Sequence, residues 1–128
     1  MKSLSQEKRR YIYDMFDGKC AYCGCDILYS KFHVDHITPK YRGMTQEQMD
    51  RYGYNAVKGK DIMENYYPSC ASCNSSKSAH SLEFWRKELY AKKERIKRDV
   101  PTFNLLLRFG CIVEIDKPIV FYFEKFKR

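Results

Sequence analysis

Apolar and polar positions follow helical periods at both ends of the chain and shorter, strand-like patterns between them. Residues 3–16 place Tyr11, Ile12, Met15 and Phe16 on one stripe, with Lys8, Arg9 and Arg10 towards solvent, the pattern of an amphipathic helix. Ser3 with Gln6 has the form of a capping box, and Gly18 stands just past the end. Residues 26–29 and 32–37 read as short strands around Ser30 and Lys31, the second ended by Pro39. Residues 38–63 are polar. They carry Gly43, Gly53 and Gly59, and Thr45-Gln46-Glu47-Gln48 caps one short helix reaching about Tyr52. A connection this long points to function or exposure.

Residues 64–69 read as a short extended run. A long helix follows over 81–98, with Leu82, Trp85, Leu89 and Ile96 on one stripe. Glu83 with Lys87, Glu88 with Lys92, and Glu94 with Arg98 support it as i, i+4 pairs. Pro101 breaks the pattern, and Phe103, Leu106 and Leu107 suit a further helix stopped by Gly110. Beyond it Cys111, Val113 and Ile115, then Ile119, Phe121 and Phe123, alternate on either side of Lys117-Pro118, which predicts a C-terminal β-hairpin. The expectation is a small α+β domain spanning 1–128, with no composition shift to divide it.

Composition sharpens this picture. The chain has 128 residues, 44% of them hydrophobic and 16% aromatic, so a folded core is expected rather than a disordered basic tail. A net charge of +8 favours a polyanionic partner, with nucleic acid the first candidate. No stretch reads as a secretory signal or a membrane span, so a cytoplasmic setting and no membrane partner are expected. Thiols there stay reduced, and paired Cys-x-x-Cys units read as metal ligands. Cys20 and Cys23 form one pair, Cys70 and Cys73 the other. Cys25 competes with Cys23 as a ligand, but the two-residue spacer and Gly24 favour Cys20 and Cys23. Cys70, Cys73, Asn74 and Lys77 recur at i, i+3, i+4 and i+7, so on a helix they share a face.

Between the cysteine pairs lies Phe32-His33-Val34-Asp35-His36-Ile37-Thr38-Pro39. Phosphodiester hydrolysis needs a base for water and a cation on the phosphate. His36 suits the first role near neutral pH. Asp35 and Asn74 offer hard oxygens suited to Mg²⁺ or Mn²⁺. Neighbours in a regular strand face opposite ways, so Asp35 and His36 serve one site only where the strand ends or twists.

Cys20-x-x-Cys23, Val34-Asp35-His36-Ile37-x-Pro39, Asn65, and Cys70-x-x-Cys73-Asn74-x-x-Lys77 together resemble the HNH, or ββα-metal (His-Me finger), endonuclease family over roughly residues 20–77. The resemblance implies a β-hairpin and helix clamped over a divalent ion, Asp35 and Asn74 as its ligands and His36 as general base. It implies that Asn65 pins the loop positioning His36, and that a Cys₄ structural zinc ties the motif's ends together. Asn74 stands where many members have His. Residues 81–128 would be a helical and hairpin extension.

The expectation is therefore a metal-dependent DNA endonuclease, bacterial or phage-encoded and acting in the host cytoplasm. A palindromic cutter would need two such sites, which a homodimer supplies. Lys77 and His33 are candidate nucleic-acid contacts, against plainer readings as a helix-surface lysine and a hydrogen-bonded structural histidine. Asn65 has a plainer reading as a turn former. The competing function is a Cys₄ zinc module that binds nucleic acid without cutting, or one that binds protein.

Overall fold

The computed structural model describes residues 3–40, 44–51 and 59–127. In chain order these form α1 (Gln6–Asp14), β1 (His33–His36), α2 (Gln46–Arg51), a 3₁₀ turn (Met63–Asn65), β2 (Tyr66–Ser69), α3 (Ala71–Lys77), α4 (Leu82–Asp99), α5 (Pro101–Arg108) and α6 (Tyr122–Lys125). The class is α+β.

Helix α1 is capped by Ser5, whose hydroxyl accepts from the Lys8 amide at 3.2 Å, so the helix starts two residues later than the Ser3 cap implied. Ile12 is its buried residue. The chain leaves α1 through Asp17 and Gly18, both at positive φ, the second a conformation glycine adopts without strain.

The two strands pair antiparallel, with His33 opposite Ser69, Val34 opposite Pro68, Asp35 opposite Tyr67 and His36 opposite Tyr66. The partner of β1 is thus the 66–69 run and not residues 26–29, which contribute only an isolated bridge from Asp26 to Lys19. Around Ser30 the Phe32 amide donates back to the Leu28 carbonyl at 2.9 Å, closing a tight turn in place of a hairpin. Pro68 costs this two-stranded sheet little, because both strands are edges. Its carbonyl accepts from the Ala21 amide at 2.9 Å and so docks the first cysteine pair onto β2.

The core is largely aromatic. Ile12, Cys20, Tyr22, Ile27, Phe32, Tyr66, Trp85 and Phe121 are buried together. Tyr22 meets Trp85 edge-to-face at 5.3 Å and Phe121 at 5.8 Å, geometries that add to plain burial.

The tail forms no hairpin among the described residues. Val113 and Ile115 are exposed, and α4 side chains occupy the backbone of this segment. Lys93 donates to the Ile115 carbonyl, Arg86 to the Ile119 carbonyl, and the Tyr90 hydroxyl accepts from the Ile119 amide. The tail's buried anchor is Phe121. The amides of Tyr122 and Phe123 then donate to the carbonyls of Tyr22 and Ala21 at 2.9 and 2.8 Å. The alternation from Cys111 onwards therefore reflects an extended strap over α4. Helix α2 ends at Arg51, and Tyr52, its expected end, lies outside the described residues, as do Gly43 and Gly53.

Candidate active site

Four sulfurs meet where the two cysteine pairs converge. The Sγ atoms of Cys20, Cys23, Cys70 and Cys73 all lie within 4.8 Å of one another. Four thiolates around Zn²⁺ at about 2.3 Å stand about 3.8 Å apart when tetrahedral. The Cys23 to Cys70 separation is 3.8 Å. The donor set therefore fits zinc. A hydrogen bond from Cys73 holds the Cys20 thiol down to about 4, so the cluster already favours a thiolate there, while Cys73 itself is raised. Cys25 stands outside this quartet, and burial with the neighbouring Cys23 sulfur pushes its thiol up to about 12.

The cysteine quartet starts α3. Cys70 is the N-cap, its sulfur accepting from the Cys73 amide at 3.3 Å. One turn on, Asn74 reaches the same cavity, of about 650 Å³, as Asp35 and His36. Val34, Pro39, Lys40 and Ser78 also line it. Strand β1 ends at His36, and this is how adjacent residues reach one space.

Asp35 is buried and held from behind. Its Oδ2 accepts from the Tyr22 hydroxyl at 2.5 Å and pairs with the Lys77 ammonium at 3.0 Å. Among the described residues both contacts fall on one oxygen, so Oδ1 would be the one to meet a cation. With the Asn74 amide this is a partial oxygen shell of the kind Mg²⁺ completes with water, so the residues fit a hard divalent ion.

Lys77 is fully buried, and donates also to the His36 carbonyl at 2.9 Å. Its ammonium faces the interior, towards Asp35 and the backbone of His36. Burial pushes its ammonium below the ordinary value, and the Asp35 carboxylate opposes that. His33 stands exposed at the start of β1, opposite Ser69, and does not line the cavity.

His36 packs edge-to-face on Tyr66 at 5.1 Å, and its Nε2 lies 2.7 Å from Asp61 Oδ1. Lys40 grips the other Asp61 oxygen. These contacts hold the Asp61 carboxyl down to about 2, Lys40 contributing most. Asn65 braces the chain beyond His36. Its Oδ1 accepts from the Thr38 amide at 2.8 Å, and its Nδ2 donates to the carbonyls of Thr38 and Lys60 at 2.9 and 3.0 Å. Asp61, Lys40 and Tyr22 were not singled out from the sequence. Asp61 lies in a polar run without a period, and Tyr22 sits inside the first cysteine pair, where the thiols draw the eye.

No family model matches the chain. Over 83 residues, 56% of its length, it is 30% identical to the "SPbeta prophage-derived putative HNH endonuclease YoqL" of Bacillus subtilis (strain 168). Over that stretch the chain is similar to a putative HNH endonuclease. It spans only 28% of that relative's length. Among solved structures it overlaps the Type II-C Cas9 enzyme from Actinomyces naeslundii with a TM-score of 0.49 and 22% identity, covering 69% of this chain and 8% of that one. That overlap is too loose to carry an argument. In this chain Asp35, His36 and Asn74 share one cavity, and Asn65 ties the loop after His36 to the backbone at Lys60.

Proposed function

We propose that this chain is a metal-dependent endonuclease that hydrolyses phosphodiester bonds in DNA. The observation that carries the reading is the convergence of Asp35, His36 and Asn74 on one open cavity. A module that only binds nucleic acid has no use for a base beside two oxygen donors. The +8 charge suits a polyanion, whose phosphates add a salt-dependent attraction.

Asp35 and Asn74 would hold Mg²⁺ or Mn²⁺, which supplies charge stabilisation to the phosphate and to the departing 3′-oxygen. His36 takes a proton from water as the water oxygen bonds to phosphorus and the bond to the 3′-oxygen breaks. The 3′-oxygen takes a proton from solvent, leaving 5′-phosphate and 3′-hydroxyl ends. Asn65 keeps the chain after His36 in place, and Tyr22 with Lys77 fixes the Asp35 carboxylate. A zinc held by Cys20, Cys23, Cys70 and Cys73 would have no open position and would stay out of the chemistry. Cutting both strands of a palindrome would take two copies.

The test is supercoiled plasmid incubated with purified protein and Mg²⁺, Mn²⁺, Ni²⁺ or EDTA. Nicking or linearisation that EDTA stops and added Mg²⁺ or Mn²⁺ restores is expected. His36→Ala should lose about 10²–10⁴-fold in rate while keeping DNA affinity. Asp35→Ala should resist rescue by metal. Salt-sensitive DNA binding with no cleavage under any ion would replace this reading with the Cys₄ binding module.

A further inference from the structure

Building on the reading of His36 as the base, we infer that Asp61 is a positioning residue that dictates which ring nitrogen of His36 faces the reacting water. A carboxylate accepts hydrogen bonds and has none to give when ionised. The His36 nitrogen 2.7 Å from Asp61 Oδ1 must therefore be the N–H, which assigns the proton to Nε2. A neutral imidazole carries one such proton, so Nδ1 is left bare as the acceptor.

Asp61 is held for this task from several sides. Lys40 takes its other oxygen, and the Tyr66 hydroxyl interacts with the same carboxylate. The backbone leading to it is clamped. The Gly59 amide donates to the Pro39 carbonyl at 2.8 Å, and Asn65 holds the Lys60 carbonyl at 3.0 Å. A Cβ on Gly59 would lie 1.7 Å from the Thr38 carbonyl oxygen, so only glycine allows this approach. The segment just before Asp61 is thus tied to the segment just after His36. Stability alone is a poor account of the pair. The Asp61 side chain is 40% exposed, and ion pairs that open to solvent contribute little to stability.

The test measures single-turnover plasmid cleavage at saturating Mg²⁺ for Asp61→Ala and Asp61→Glu, in the parent and in a His36→Ala background, alongside DNA affinity. Nitrogen NMR of the zinc-loaded protein reads the His36 tautomer directly. Asp61→Ala should slow the parent about 10–100-fold, the range for losing an orienting partner of a histidine. It should leave DNA affinity unchanged and cost His36→Ala nothing further. Asp61→Glu should recover part of the rate. The parent spectrum should show Nε2–H, and Asp61→Ala a mixture. The inference is overturned if Asp61→Ala cuts within about twofold of the parent, or slows His36→Ala by the same factor. A parent spectrum showing Nδ1–H overturns it too. Should His36→Ala cut like the parent, the base assignment is what has failed, and the spectrum alone decides whether Asp61 sets the tautomer.

Discussion

Lys77→Met isolates the charge behind the site. Methionine keeps most of the lysine stem's volume, so packing changes little and the ammonium is what is lost. In the parent that ammonium is 0% exposed, and the Asp35 side chain 3.0 Å away is 8% exposed. Breaking a buried pair by removing one member costs about 3–5 kcal/mol, because the other charge stays buried without its partner. The His36 carbonyl loses its donor at the same time. Against a total stability of about 5–15 kcal/mol, this is a large fraction. With an m value of about 2 kcal/mol/M, the urea midpoint should fall by about 2 M. The assay is urea unfolding in zinc-replete buffer, followed by fluorescence of the chain's single tryptophan, Trp85, which is buried in the core. Adding Asp35→Asn removes the stranded carboxylate while keeping an oxygen for the Tyr22 hydroxyl. The double variant should be more stable than the sum of the singles by about 1–3 kcal/mol. A midpoint within 0.3 M of the parent (roughly 0.6 kcal/mol at that slope), or strict additivity, would refute the buried pair.

Further outcomes follow from the same contacts. Serine at Cys20, Cys23, Cys70 or Cys73 should leave little folded protein, since structural zinc contributes about 10–16 kcal/mol in small domains; Cys25→Ser should keep one zinc per chain. Elemental analysis paired with circular dichroism checks this, and a folded, zinc-free parent would sink it. Gly59→Ala should lower the melting temperature, because relieving a 1.7 Å approach moves the loop, at a cost of roughly 1–3 kcal/mol; an unchanged melt contradicts it. The Asp61 carboxyl is held at about 2 against an ordinary 3.8, so it favours the fold above that ordinary value and the contribution is lost as pH falls through about 2. Melts of Asp61→Asn and the parent should therefore separate above pH 4 and converge towards pH 2 (roughly the two limits of that window), and curves that stay parallel throughout would count against it.

The sequence revealed α1 to α5 and the cysteine pairs because each depends on local spacing, whereas α6 fell within the expected hairpin. The Leu82, Trp85 and Leu89 stripe marks α4, and Cys70 to Lys77 marks the face of α3. What it hid was decided at long range. β1 takes its partner from beyond a long polar connection, so the nearer 26–29 run looked like the natural strand. The tail alternates like a hairpin, yet Lys93, Tyr90 and Arg86 of α4 satisfy its backbone first. Spacing put Lys77 on the site face of α3 without showing that Tyr22 and Asp35 wait there in the core.

The same contacts explain how a small core can hold a site drawn from distant segments. Asp35 and His36 end one strand, Asn74 rides a seven-residue helix, and Asp61 comes from the connection between strands. A helix as short as α3 is marginal alone, since nucleation costs more than its few hydrogen bonds return. A metal held by the cysteine quartet would remove that difficulty by fixing the first turn, so that Asn74 is placed by ligation more than by helix propensity. Lys77 then ties the last turn of α3 to Asp35 and to the His36 backbone, which sets the distance between helix and strand. Asn65 closes the remaining degree of freedom by joining Thr38 to Lys60. Each link crosses a different gap in the chain, so losing one should misplace a particular partner before it dissolves the whole site.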